Sequence, residues 1–315
     1  MTTFKEIRGT TIEVVSSDPS NPETGQIWYN SSSGTLKGYK SINTWSSGGN
    51  LNTARGGLAG AGTQTATLGF GGYSVPYSAA TESYNGTSWT SVNSLNTARY
   101  ALGGSGTQTA ALAFGGERGG TNPSASVESW SGTSWTTTTS LNTGKIALAG
   151  AGTQTSTLSF GGQTPPGTVS TGTESWNGST WTSVNSMNTA RSYLAGCGTQ
   201  TLALAFGGRT PTVVANTESW NGTSWTAVNV LNTARQNLAG AGTQTAALAF
   251  GGTLPPSTGA TELWNGTSWT SNPTGMASAR ATFAGAGTQA SAIGFGATAA
   301  TEEWTGVGIQ TITVS

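Results

Sequence analysis

Twelve positions in this chain combine charge with regular spacing. Six are acidic: Glu82, Glu128, Glu174, Glu218, Glu262 and Glu302. Six are basic: Arg55, Arg99, Lys145, Arg191, Arg235 and Arg280, which stand 44, 46, 46, 44 and 45 residues apart. Recurrent carboxylates raise the prospect of acid–base work of the glycosidase kind. That chemistry needs two carboxylates held in different environments. Positions that recur once per unit see similar environments. The expectation is therefore structural: Glu and Arg or Lys meet as ion pairs within a unit or between neighbouring units.

Other chemistries are excluded by absence. The chain has no His, so it cannot build a Ser-His-Asp or Cys-His engine. One cysteine, Cys197, allows neither an internal disulfide framework nor a usual zinc or haem site. Asp18 is the one Asp, and oxygen-ligand metal sites are not expected. No cofactor, no metal and no catalytic activity are expected. Cys197 replaces an Ala in its unit and reads as a small buried residue. Asn-X-Ser/Thr sequons at Asn30, Asn85, Asn177, Asn221 and Asn265 coincide with turns, and glycosylation is not expected there. Zero net charge without a basic run argues against nucleic acid. No stretch approaches the roughly 18 apolar residues of a membrane span. The opening MTTFKEIRGTTIEVV lacks the long apolar core of a signal peptide.

Internal repetition organises nearly everything else. Units start near residues 51, 95, 141, 187, 231 and 276, with LNTAR, LNTAR, LNTGK, MNTAR, LNTAR and MASAR. Each holds four short segments. A small apolar one (LAGAG, 58–62) leads through the turn GTQT to an apolar one ending in paired glycines (ALAFGG, 111–116). After a variable stretch comes a segment with Glu and an aromatic (TESW, 217–220), then the turn NGTS and a segment carrying Trp (SWTSV, 88–92). Asn-Gly between two aromatic segments is a strong hairpin signal, because both turn positions need positive φ. No segment has helical period. Four antiparallel strands per unit match one propeller blade.

Eleven of the twelve tryptophans fall in two slots: Trp130, Trp176, Trp220, Trp264 and Trp304 on the third strand, and Trp45, Trp89, Trp135, Trp181, Trp225 and Trp269 on the fourth. Identical slots in every unit are what blade stacking requires, so packing is expected of them rather than a ring of sugar platforms. The basic residue, glycine doublet, aromatic and following Trp (Arg99, Gly115, Gly116, Trp130 and Trp135 in one unit) look like the kelch repeat of β-propellers. The resemblance covers roughly residues 35–305, with the doublet decaying to Gly296-Ala297. It implies an all-β, kelch-type propeller with four-stranded blades and says little about activity. The copper enzyme of that family needs His ligands, which this chain lacks. SWNGTSW (219–225) also resembles the Asp-box of sialidases but has no Asp.

Aromatic third-strand slots number seven when Tyr39 is included with Tyr84, Trp130, Trp176, Trp220, Trp264 and Trp304. Seven blades are therefore favoured, the first built from N-terminal strands, with the ring closed by the chain termini. The alternative is six blades, with Trp45 completing the last. The expected division is an anchoring arm or linker over 1–24, with a strand near Ile12–Val15, followed by the propeller over 25–315.

The loops between second and third strands vary in sequence, unlike the GTQT and NGTS turns. They place Tyr73, Tyr77, Glu117, Arg118 and Arg209 on one face as a candidate binding surface. The N-terminal NPETGQIWYNSSSGTLKGYK resembles G-x-IWYN…G-x-LK segments of tailed-phage virion proteins, and the LNTAR/AFGG/ESWNGTSW array looks like those of phage tail and particle-surface proteins. The resemblance implies a non-enzymatic virion component exposed on the particle: a tail fibre, tail-tip appendage or head decoration. Its arm would bind other virion proteins and its propeller a host-surface glycan or protein. The alternative is a free lectin or a kelch interaction module of a cell.

Overall fold

The computed structural model describes residues 12–20, 22–23, 25–119 and 123–312. Each repeat folds into one antiparallel sheet, because its strand segments are short and joined by tight turns. In the second unit Gly103–Gly106, Ala111–Phe114, Val127–Trp130 and Trp135–Thr138 pair in that order. Equivalent sheets begin at Ala59, Ala149, Ala195, Ala239 and Ala284. The first strand of each sheet packs against the first strands of its two neighbours, and Ala284–Gly287 packs against Ala59–Thr63. The ring is thus closed: a β-propeller with the small first strands around its axis.

Gly104 shows why that strand is built of small residues. A Cβ there would lie 2.9 Å from the Phe70 ring of the preceding blade and 3.1 Å from Gly60 O. The same seat recurs at Gly60, Gly150, Gly196, Gly240 and Gly285, each under a Phe of the blade before. Farther out the blades diverge and large rings fill the gap. Trp135 packs on Phe70, Trp225 on Phe160 and Trp269 on Phe206, each with centroids 5.0 Å apart. Trp130 and Trp135 meet within their own blade at 5.3 Å.

Among the described residues the blades number six, which corrects the preference for seven and for closure by the chain termini. The sixth sheet takes its first three strands from Ala284–Gly287, Ser291–Phe295 and residues 301–304, and its outermost from residues 44–47. Trp45 fills the fourth-strand slot there, 4.8 Å from Phe250 and 5.5 Å from Trp304. Tyr39, counted as a seventh aromatic slot, belongs instead to a second compact unit made of residues up to 43 and from 305 onward. The closing strand is therefore an internal segment. Six first strands already complete the circle of contacts and leave no opening for another.

The second unit pairs Glu13–Val15 parallel to Ile27–Asn30, which runs antiparallel to residues 35–38. Its polar centre is Asp18. Trp28 Nε1 and Asn30 Nδ2 donate to Asp18 Oδ1 at 3.0 and 2.7 Å, and Lys37 Nζ lies 2.7 Å from Oδ2. The backbone amides of Ser32 and Ser33 donate to Asn30 Oδ1 at 3.1 and 3.0 Å, closing the turn before Gly34 at φ +64°. Thus the IWYN and LK residues converge on one carboxylate. Three donors to the charged form hold the Asp18 carboxyl down at about 2, Lys37 contributing most. Most of the arm expected over 1–24 lies outside the described residues (1–11, 21 and 24).

Candidate functional site

The twelve periodic charges pair within each blade. Arg99 Nη2 lies 3.1 Å from Glu128 Oε1, Lys145 Nζ 3.2 Å from Glu174 Oε1, and Arg191 and Arg235 each 2.9 Å from Glu218 and Glu262. Arg55 pairs with Glu82 and Arg280 with Glu302. All twelve side chains are buried. The second carboxylate oxygen is also engaged: Glu128 Oε2 accepts from the Asn96 amide and Glu218 Oε2 from the Asn188 amide, both at 2.7 Å. Arg191 Nη1 donates to Gly207 O and Asn216 O at 2.9 and 2.7 Å. Each pair therefore ties the link entering a blade to that blade's third strand, and Arg55, Arg99, Arg191 and Arg235 also donate to a carbonyl in or just after the second. Burial lowers the Arg99 pKa to about 10 against the opposing pull of Glu128, and lowers Lys145, Arg191 and Arg235 in the same way. Each of the six carboxylates thus faces a buried cation of its own blade.

The blades are locked by backbone bonds that require no particular side chain. Ala101 N–H donates to Gly57 O, Ala147 to Ala101, Tyr193 to Ala147, Asn237 to Tyr193, Thr282 to Asn237, and Gly57 back to Thr282, at 2.7–3.0 Å. One residue per blade thus forms a closed cycle around the axis. All six have φ between 52° and 60°. On the turn side, the glutamine of each GTQT turn, and Gln289 of the GTQA turn in the sixth blade, reaches back to the preceding blade. Gln289 Nε2 donates to Trp264 O at 2.6 Å and Gln64 Nε2 to Trp304 O at 2.8 Å. The loop face therefore stands on a rigid ring.

On that face the cycle lines an axial depression whose wall includes Tyr100, Tyr193, Leu102, Leu194 and Phe283. At its rim over the first two blades sits a tyrosine cluster. Tyr73 meets Tyr77 at 5.5 Å and Tyr100 at 6.1 Å, and Tyr77 meets Tyr100 at 6.3 Å, all edge to face. Tyr77 Oη donates to Glu117 Oε1 at 2.9 Å, and this bond raises the Tyr77 pKa. Tyr73 remains 44% exposed. Short bridges fix the backbone beneath: Gly56 with Tyr73, Tyr73 with Tyr77, and Tyr100 with Glu117.

Of the residues expected on this face, the structure brings together Tyr73, Tyr77 and Glu117. Exposed Arg118 follows Glu117 and donates to Ser126 Oγ at 3.1 Å. Arg209 is not part of the group. It lies in the corresponding loop of the fourth blade, across the ring, bridged to Ser192 and Val213. Sequence reasoning missed Tyr100 and Tyr193. Both were findable, because each sits within two residues of a basic slot (Arg99, Arg191) that leads toward the axis. Cys197 is buried and its thiol is pushed up to about 12 by burial. The sequon residues Asn85, Asn177, Asn221 and Asn265 use Oδ1 to accept the backbone amides two and three residues on. Among the described residues no group of three or more His, Cys, Asp and Glu could hold a metal ion.

Compared with known proteins, the chain matches no family model and no curated sequence.

Proposed function

We propose that this chain is a non-enzymatic attachment protein of a tailed-phage particle, presenting its propeller loop face to a host surface. The observation that carries the reading is the inequality of the two faces. On one, GTQT glutamines repeat the same inter-blade bond around the ring. On the other, loops of unlike sequence stand on a cyclic backbone frame, and one of them exposes Tyr73 beside Glu117. Recognition usually resides in loops held by a rigid scaffold. The burial of those Glu and Arg or Lys charges as one ion pair per blade supports a structural rather than catalytic use of them.

The assignment to a virion rests on the resemblance of the IWYN…LK segment and of the repeat array to particle-surface proteins. In this chain those IWYN and LK residues assemble around Asp18, so the segment has a fold of its own in which to carry an anchoring function. Quantitative mass spectrometry of purified particles tests the reading. A stoichiometric signal is expected, a few copies marking a tail appendage and hundreds a head decoration. Absence from the particles overturns it and favours a free lectin.

A further inference from the structure

We infer that Tyr73, Tyr77, Tyr100 and Glu117 form a binding subsite for one neutral sugar ring, with Tyr73 as the stacking platform. The inference deepens the attachment reading and rests on it for its biological setting. Its first support is a departure from symmetry. The slot of Tyr73, just after the glycine doublet, holds Glu117, Gln163, Arg209, Thr253 and Thr298 in the other five blades. The slot of Tyr100 holds Gly56, Ile146, Ser192, Gln236 and Ala281. The residue bridged opposite, Tyr77, corresponds to Pro123, Val213 and Ser257. Three tyrosines therefore gather where the fold elsewhere manages with no aromatic residue, so packing does not require them.

The geometry selects the ligand class. Rings 5.5–6.3 Å apart at 60–71° fill the space between themselves, which leaves no vacant cage for a quaternary ammonium. What remains is one exposed ring, Tyr73, buttressed by two others. An aromatic face of that kind suits the apolar C–H face of a pyranose. Glu117 holds Tyr77 through one oxygen, and its carboxylate can accept sugar hydroxyl protons through the other. Arg118 supplies guanidinium donors alongside. The carboxylate opposes phosphates and other anions, and the chain carries no net charge to draw them. The ordered backbone beneath Tyr73 lowers the entropy lost on binding.

The test is saturation-transfer NMR of the full chain with methyl α-glucoside, methyl β-galactoside and N-acetylglucosamine at millimolar concentration, followed by a printed array of hexose, deoxyhexose and N-acetylhexosamine oligosaccharides. We expect transfer to ring C–H protons from at least one probe. Tyr73→Ala should weaken that binding at least tenfold, Tyr73→Phe should retain it, and Thr253→Ala in the equivalent slot of the fifth blade should leave it unchanged. Unaltered melting of each variant separates loss of binding from loss of fold. Absence of binding to every probe, or binding that survives Tyr73→Ala, overturns the subsite. The labelled chain is also applied to intact bacterial cells. If cell binding persists after periodate oxidation of surface sugars and in Tyr73→Ala, the saccharide inference fails while the attachment reading stands. If no cell binding occurs but a printed sugar binds through Tyr73, the attachment reading fails and the subsite stands.

Discussion

Trp181 and Val127 meet in a cluster where the indole Nε1 finds no acceptor. In the other five seams the fourth-strand Trp donates to a threonine of the preceding blade: Trp135 to Thr81 at 3.0 Å, Trp225 to Thr173 and Trp269 to Thr217 at 3.1 Å, Trp89 to Thr301 and Trp45 to Thr261 at 2.9 Å. Val127 occupies the threonine position in the second blade. Its seam is also the loosest of the six Phe–Trp contacts, with Phe114 and Trp181 centroids 5.7 Å apart.

Val127→Thr should therefore stabilise the protein. A buried hydroxyl normally costs free energy, but here it meets an unpaired indole N–H, and a satisfied hydrogen bond contributes about 1 kcal/mol. Calorimetric melting checks the sign: a rise is expected, and a fall contradicts the seam assignment.

Removing the ring itself costs far more. Trp181→Ala should destabilise by about 3–5 kcal/mol, the range for large core truncations. Trp225→Phe should cost about 1 kcal/mol more than Trp181→Phe, because only the former strands a threonine hydroxyl. Denaturant unfolding of the four chains, including wild type, measures both differences.

The Arg–Glu pairs predict asymmetric losses. Glu218→Ala leaves Arg191 buried without its partner and frees the Asn188 amide, and should cost about 3–5 kcal/mol. Adding Arg191→Met to that variant should recover part of the loss by removing the uncompensated charge. A double variant no more stable than Glu218→Ala contradicts the argument.

Acid should act on the Asp18 cluster within a defined window. The folded carboxyl is lowered from 3.8 to about 2, so the folded form releases its proton more readily than the unfolded form. Its contribution is complete above about 3.8 and is lost as pH falls toward 2. The Trp28 indole N–H resonance should hold its position down to pH 4 and move below it. In Asp18→Asn the resonance should be displaced already at neutral pH, with no step in that window.

Cys197 should resist alkylation in the folded protein at pH 8, since its thiol is buried and its pKa stands near 12. Mass spectrometry after iodoacetamide treatment should find modification only once the chain is denatured.

How much of this was legible in the residues follows from what side chains encode. The Trp slots announced blade stacking, and the Glu and Arg or Lys slots announced pairing, because both recur as residue types. The blade count was legible only as a pair of alternatives: six blades with Trp45 completing the last is the one found, not the favoured seven. Tyr39 mimics a third-strand aromatic, and only the hydrogen bonding of residues 35–38 with Ile27–Asn30 shows that its segment belongs to another unit. The axial backbone cycle left no signature either. It runs through Gly57, Ala101, Ala147, Tyr193, Asn237 and Thr282, and backbone amides do not ask for a residue type. Asp18 was dismissed as a metal ligand, and that reading gave no hint of its use as the acceptor for Trp28, Asn30 and Lys37. In the loops, Arg209 groups with Tyr73 in sequence because both lie between second and third strands on one face, but like slots of the first and fourth blades stand on opposite sides of the ring.

Competition for adsorption tests the attachment reading most directly. Host cells are incubated with the purified chain, then challenged with particles that carry it, and free particles are counted. The account predicts that the wild-type chain slows adsorption in a dose-dependent way and that Tyr73→Ala, equally folded, does so far less. Adsorption unaffected by saturating wild-type chain would contradict it.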